Sequence, residues 1–333
     1  MLYANIAIEN DVKKSSLGDL LGRWWLLIFT LLLLTVFGIL QSSFLNPQNL
    51  LAIFRNACMI AIAGCGLTCV MATGEIDFST SSAMSLAACC MTILLDSRIL
   101  DSYVLAVIIG LLAAAVLGFF NAFLHLVIGI PAFLATLSSS LIAKGLALVI
   151  IGGTTINRGI WNSAVYTFLG QYYLFGVIPM PFIVLLFVGI MIMFIMERTK
   201  VGYCLFAVGA NQTACGYIGI NVKKYKLIAF LLCAFLCGVS GIVQSSISNG
   251  AGPYMADSFM LLTMMVTVMG STFLKKGVYN IPGTLLAAIF VSMVSNGMIM
   301  LEAATWAKML IEGIMFIGAV IIMILMRKRT ERI

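Results

Sequence analysis

Charge is scarce in this 333-residue chain: Asp, Glu, Lys and Arg together make up 9% of it, and there is one histidine. A single imidazole, His125, inside a hydrophobic run, leaves no cluster of His and carboxylate ligands for a metal. It also leaves no convincing acid–base constellation for a membrane-embedded enzyme. The pattern Gly-x-x-x-x-Gly-Lys-Ser/Thr is absent, as is any polar stretch long enough to house a nucleotide-binding domain. No small-residue cleavage pattern follows the first apolar run, which itself comes after a polar segment, so a cleaved signal peptide is not expected.

What the chain has instead is apolar surface. Hydrophobic residues are 62% of the sequence and the mean hydropathy is +1.13, far more than a soluble core buries. The apolar runs are too long for alternating barrel strands, and backbone groups in lipid must satisfy one another within the segment. The expected fold is therefore all-α, a polytopic membrane helix bundle. Nine cysteines are scattered mostly through apolar segments, as Cys65 and Cys69, Cys89 and Cys90, and Cys233 and Cys237 illustrate, and read as small packing residues. The formal net charge of +7 comes from short basic clusters between apolar runs, a topology signal rather than a nucleic-acid surface.

Ten spans are expected, near residues 24–41, 50–72, 76–95, 103–128, 132–151, 180–196, 227–247, 259–274, 281–301 and 306–326. With both termini cytoplasmic, the inner side receives Lys13, Lys14, Arg23, Arg198, Lys200, Lys223, Lys224, Lys226, Lys275, Lys276, Arg327, Lys328, Arg329 and Arg332. The outer side receives only Arg55, Arg98, Arg158 and Lys308, which satisfies the positive-inside rule. The organisation is then a cytoplasmic segment over 1–23, a transmembrane domain over 24–326 and a basic tail over 327–333. The third segment, opened by Glu75 and Asp77, is less hydrophobic and either spans or re-enters.

Ionisable groups at membrane depth cost roughly 2.5–3.5 kcal/mol each on insertion scales and need a reason. Glu75 and Asp77 either line a solute path, accepting hydrogen bonds from a hydroxyl-rich solute, or sit at the inner interface capping the third segment. Lys144 and Glu312 either pair internally or reach toward the interfaces. Polar side chains in apolar helices offer hydrogen bonds along a cavity or hold helices together. Ser79, Asn121, Thr136, Ser138, Ser139, Ser140, Ser292, Ser295 and Asn296 are of this kind.

The longest polar interruption of the second half is 197–226, ERTKVGYCLFAVGANQTACGYIGINVKKYK. Within it Asn211 is placed to cap a short helix over about Gln212 to Tyr217, and Gly219 to end it in the left-handed conformation. Such a helix is marginal alone and needs a partner surface.

This segment resembles the cytoplasmic coupling loop of the permeases of bacterial ABC importers for ribose, galactose, xylose and related simple sugars. FLNPQNLLAIFRNACMIAIAGCGLTCVMATGEID, GFFNAFL, IPAFLATLSSSLIAKG and VMGSTFLKKGVYNIPGTLLAAIFVSMVSNGM resemble further parts of that family in the same order. The family commonly carries Gly-Ile-Asp-Leu-Ser-Val-Gly where this chain has Glu75-Ile76-Asp77-Phe78-Ser79-Thr80-Ser81, which adds a carboxylate and loses both glycines. A Gly-rich loop after the eighth span is also partly replaced here, by Ser271, Lys275, Lys276 and Tyr279.

The resemblance implies a permease of the bacterial cytoplasmic membrane that is not itself an enzyme. It implies a separate ATPase subunit carrying ATP and Mg, a second permease chain, an extracytoplasmic solute-binding protein and surrounding lipid. Gly202, Asn211, Ala214, Cys215, Gly219, Ile220 and Asn221 are then the coupling residues, and Glu75, Asp77, Ser79, Asn121, Thr136 and Asn296 the candidate path. The alternatives are a nucleoside or furanosyl signalling molecule as solute, or an ion-coupled secondary transporter with Glu75 and Asp77 as its ion site.

Overall fold

A computed structural model describes residues 17–96, 99–100, 102–157, 164–275 and 277–330. Lys13, Lys14, Arg98, Arg158, Lys276 and Arg332 lie outside the described residues, as does most of the proposed amino-terminal segment. Thirteen α-helices are described: α1 (Leu17–Leu40), α2 (Pro47–Ala72), α3 (Thr80–Asp96), α4 (Tyr103–Phe123), α5 (Ala132–Ile151), α6 (Ala164–Gln171), α7 (Met180–Arg198), α8 (Lys200–Ala210), α9 (Gln212–Tyr217), α10 (Val222–Ser248), α11 (Phe259–Gly270), α12 (Ile281–Met300) and α13 (Thr305–Thr330). A two-residue hairpin, β1 (Tyr173–Leu174) with β2 (Ile178–Pro179), joins α6 to α7. The chain is an all-α polytopic bundle.

Among the described residues, seven helices are long and apolar enough to cross a membrane: α2, α4 with its extension to Ile128, α5, α7, α10, α12 and α13 to Met326. Three further apolar segments stand where the sequence predicts spans but are shorter: Trp24–Leu40 of α1, α3 and α11. The 12 residues of α11 rise about 18 Å, less than the roughly 30 Å hydrocarbon core. The expected eighth span runs on to Leu274, whereas the helix stops at Gly270. The cause is Asn280, whose Nδ2 donates to the carbonyls of Gly270, Phe273 and Val278, at 3.1, 3.0 and 3.0 Å, and so stabilises a folded non-helical turn there.

The centre of the bundle is α10, which packs on α2, α3 and α4, while α2 also meets α7, α11 and α12. Small residues allow these close approaches. A methyl group on Gly241 of α10 would run into the Met84 carbonyl of α3, and one on Gly118 of α4 would meet Phe230 and Ala234 of α10. Helix α3 is buried over nearly its whole length. It carries Thr80, Ser81, Ser82, Ser85 and Thr92 because protein, not lipid, surrounds it on every side.

Loops pair with one another at both ends of the bundle. At one end Lys275 pairs with Glu197 at 2.9 Å. At the other, Ile156 bridges Ala251 and Gln171 bonds Asn249 at 2.5 Å. Lys144 and Glu312 do not pair with each other. Lys144 meets Asp257 at 2.8 Å, and Glu312 accepts from Ser295 at 3.0 Å and lies 3.8 Å from Lys308.

Candidate translocation and coupling site

Two polar clusters spring from one connection, residues 73–79 between α2 and α3. Helix α2 ends where Thr73 Oγ1 turns back to the Val70 carbonyl at 2.7 Å, and Gly74 takes a left-handed φ of 84°. From Glu75 the backbone runs without helix or strand to Ser79, whose carbonyl accepts from Ala83 N at 2.8 Å and begins α3.

The first cluster is deep and uncharged apart from its carboxyl group. Asp77, 1% exposed, accepts at Oδ1 from Ser79 N at 2.7 Å and from Ser79 Oγ at 2.6 Å. Asn121 of α4 donates from Nδ2 to Ser79 Oγ at 2.7 Å and accepts at Oδ1 from Ser139 of α5. Thr136, on the same helix as Ser139, accepts from Phe78 N at 3.1 Å and donates to the Ala132 carbonyl at 2.9 Å. The network ties the entry of α3 to α4 and α5. Of the path residues predicted from the sequence, Asp77, Ser79, Asn121 and Thr136 are brought together here, and all are buried. Asp77 Oδ2 makes no hydrogen bond of normal geometry, although the Cys233 thiol of α10 lies against the carboxyl group, and the hydroxyls of Thr80, Ser81 and Ser85 further along α3 are likewise unbonded. Unsatisfied polar atoms of this kind are places where water or a solute hydroxyl is accommodated.

Asn296 does not join them. It stands on α12, which packs against α1, α2, α7 and α11, and its buried Oδ1 is unpartnered.

The second cluster is ionic. Glu75 Oε1 accepts from Lys226 Nζ at 2.5 Å and lies 3.3 Å from His125 Nε2. Lys226 Nζ also donates to Gln212 Oε1 at 3.1 Å and lies 3.5 Å from His125 Nε2. His125 belongs to a π-type turn, Leu124–Ile128, that widens the end of α4 before Gly129 reverses the chain. Its Nδ1 faces the Ile130 carbonyl at 2.9 Å. A carbonyl only accepts, so Nδ1 carries a proton. Nε2 then accepts from Lys226 in the neutral ring and donates to Glu75 in the protonated one. The hydrogen bond from His125, followed by the bond and charge of Lys226, holds the Glu75 carboxyl down at about 2 against the opposing effect of partial burial. Glu75 therefore belongs to the interface of three connections, not to the buried network. Lys226, read from the sequence as a surface topology charge, is 5% exposed.

Glu75 and Ile76 also line a cavity of about 580 Å³, between the end of α2, α8, α11 and α13. The rest of its wall is mostly apolar, with Phe206, Met264, Phe316 and Met323.

The polar stretch 197–226 contains a helix the sequence reading does not anticipate, α8, and the short one it does. Asn211 Oδ1 accepts from Ala214 N at 2.9 Å and starts α9, and Gly219, with φ of 79°, ends it. Asn221 caps α10 in the same way, accepting from Lys224 N at 3.0 Å. Ala214 is exposed, as are Tyr217 at 88% and Ile218 at 73%, while Cys215 faces inward and Ile220 is half-buried. Gly202 is corrected from a contact residue to a packing one. It is buried where α8 turns against the end of α7, and a methyl group there would strike the Met196 backbone. At the other end of α8, Gly209 lies equally tight on the Ala72 carbonyl.

The fold and these clusters define a multi-pass membrane transport component, with an exposed apolar tip at one end and a buried polar network inside. A family model described as "Branched-chain amino acid transport system / permease component" matches residues 49–320, and the chain belongs to that family. It is similar to "Ribose import permease protein RbsC" of Bacillus subtilis, at 29% identity over 95% of this chain and 94% of that one. It is also similar to "D-allose transport system permease protein AlsC" of Escherichia coli, at 26% identity over 87% of each chain. A third relative is "Autoinducer 2 import system permease protein LsrC" of Yersinia enterocolitica, at 26% identity over 89% of this chain and 80% of that one. No solved structure matches the chain. The protein is a permease subunit of the ABC-importer class, a transport component rather than an enzyme.

Proposed function

We propose that this permease carries a simple sugar, ribose-like or of similar size, inward across the bacterial cytoplasmic membrane by alternating access. Ten segments cross or enter the bilayer, both termini are cytoplasmic, and stretch 197–226 lies on the inner face. Energy comes from a separate ATPase subunit that holds ATP and Mg and docks on α9. A second permease chain completes the path, and an extracytoplasmic protein delivers the solute. Alternating access asks the chain to transmit a push at α9 to groups that meet the solute. Two buried carboxylates free to hold an ion would be the rival arrangement, but Glu75 is paired with Lys226 beside His125 and only Asp77 is buried in the network.

The observation that carries the reading is the capped six-residue α9, which exposes Ala214, Tyr217 and Ile218 to water at the end of a membrane bundle. Exposed aromatic and aliphatic side chains on a helix too short to be stable alone are what a docking partner covers. The names of the relatives supply the solute class, and the autoinducer-2 relative keeps a small signalling molecule as the second reading.

The test is uptake of labelled ribose into proteoliposomes holding this chain and the ATPase subunit that co-purifies with it, with a solute-binding protein captured on the assembled complex added outside. D-allose, galactose, xylose and autoinducer 2 serve as competitors. ATP-dependent uptake that survives an ionophore is expected. Uptake that needs no ATPase and collapses with the ion gradient would overturn the reading.

A further inference from the structure

Helix α9 packs chiefly on its neighbours in the chain, α8 and α10. Its first residue, Gln212, is exposed, yet its side-chain oxygen is held by the buried Lys226 ammonium at 3.1 Å. That ammonium donates to Glu75 Oε1 at 2.5 Å and to Gln212 Oε1 at 3.1 Å, and His125 Nε2, an acceptor only while its ring is neutral, lies 3.5 Å away. One side chain therefore touches the docking helix, the connection between α2 and α3, and the end of α4.

We infer that Lys226 is a positioning residue for coupling, the joint through which displacement of α9 reaches the Asp77–Ser79–Asn121 network. This rests on the importer reading above. Glu75 stands two residues ahead of Asp77 on a stretch that is neither helix nor strand, where a pull at one residue is passed along the backbone rather than absorbed by a helix. The far end of the stretch is fixed by Asp77 and Ser79 to α4 and by Phe78 to α5. His125 provides a second route, because it lies on the π-type turn of the same α4 that carries Asn121. A joint made by one ammonium has two properties a packed apolar contact lacks. It holds orientation through directed hydrogen bonds, and it releases when a single acceptor moves by an ångström or two. The steric contact of Gly209 with the Ala72 carbonyl brings α8 to the same connection, so the push and the grip arrive at one place.

The decisive quantity is solute taken up per ATP hydrolysed, measured in the reconstituted complex of permease, ATPase and solute-binding protein with labelled ribose. Lys226→Met should lower that ratio at least tenfold. The charge exchange Glu75→Lys with Lys226→Glu should recover more than half of it, which a merely space-filling lysine would not allow. Because Lys226→Met also removes a buried ion-pair partner from the fold, Gln212→Ala is the second variant: it breaks only the exposed arm of the joint. It should lower the ratio about three- to tenfold while the melting temperature in detergent stays at the wild-type value. An unchanged ratio in Gln212→Ala and in the charge-exchanged and Lys226→Met proteins overturns the joint and leaves the importer reading standing. Wild-type protein that shows no ATP-driven uptake overturns both.

Discussion

Glu75 and Asp77 are two residues apart on one irregular connection, yet they meet opposite physical conditions. Glu75 is reached by two basic side chains, and its charge is balanced within 3.3 Å. Asp77 has no basic partner: a backbone N–H and a serine hydroxyl share one oxygen, and the other oxygen makes no hydrogen bond of normal geometry. Strand alternation would put residues two apart on the same face, so the divergence comes from the irregular backbone between Glu75 and Ser79, which is neither helix nor strand. The comparison separates two jobs that carboxylates perform in a membrane protein. An ion-paired carboxylate at an interface fixes one element against another. A buried carboxylate with a spare oxygen is available to something that arrives.

The comparison breaks most severely on the buried side. Asn121→Leu removes the donor to Ser79 and the acceptor for Ser139, leaving buried polar atoms without partners. Each such atom costs roughly 1–3 kcal/mol. The expected result is a drop of several degrees in the melting temperature of the detergent-solubilised protein, with loss of uptake. Asn121→Asp tests the charge balance of the same site, since a second carboxylate beside Asp77 should be at least as harmful. Wild-type stability in Asn121→Leu would show that the network contributes no stability.

The ionic cluster breaks asymmetrically. Glu75→Ala strands an ammonium that is almost fully buried, whereas Lys226→Met leaves a carboxylate with His125 still beside it and water within reach. Glu75→Ala is therefore the more destabilising of the two, and adding Lys226→Met to it should restore part of the lost melting temperature. The pH dependence has a definite sign. The carboxyl falls from 4.5 to about 2 on folding. On the acid side its stabilisation is therefore complete above about pH 4.5 and is lost as pH falls toward 2. The gap in melting temperature between wild type and Glu75→Gln should narrow below pH 4.5, and should narrow again as rising pH removes the His125 proton and with it the hydrogen bond to Glu75. A gap that stays flat as His125 titrates would show that Lys226 alone holds the carboxylate.

How much of this was legible in the sequence follows from the range of the forces involved. Hydrophobic run length located α2, α4, α5, α7, α10, α12 and α13, because each must bury or expose a continuous apolar surface. Local capping chemistry located α9, since Asn211 and Gly219 act within a few residues of themselves. The sequence grouped Asp77, Ser79, Asn121 and Thr136 only as polar residues in apolar surroundings. Their convergence depends on the packing of three helices. Asn296 carried the same signal and stands elsewhere. Lys226 was misread because its charge resembles that of its exposed neighbours Lys223 and Lys224, and only its place in the fold buries it. A signal was available: the added Glu75, where the resembling family has glycine, requires a cation, and His125 is the one imidazole in the chain. The early end of α11 depends on Asn280, ten residues beyond Gly270, a reach that hydropathy does not see.

The smallest effect on stability, and the sharpest on function, is expected at α9. Its exposed residues make few contacts in the isolated chain, so Tyr217→Ala and Ala214→Glu should each change stability by no more than about 0.5 kcal/mol. Binding to the ATPase is another matter. A tyrosine that is 88% exposed in the free subunit has nearly its whole ring to bury on docking, and central aromatic anchors of interfaces commonly cost 2 kcal/mol or more when truncated. Tyr217→Ala should therefore weaken association at least about 30-fold, and Ala214→Glu should abolish it by forcing a carboxylate into an apolar contact. Co-purification with the ATPase subunit measures the association, and the melting temperature measures the fold. Loss of association at an unchanged melting temperature separates α9 from both clusters behind it, whereas normal association in Ala214→Glu would move the docking surface away from this helix.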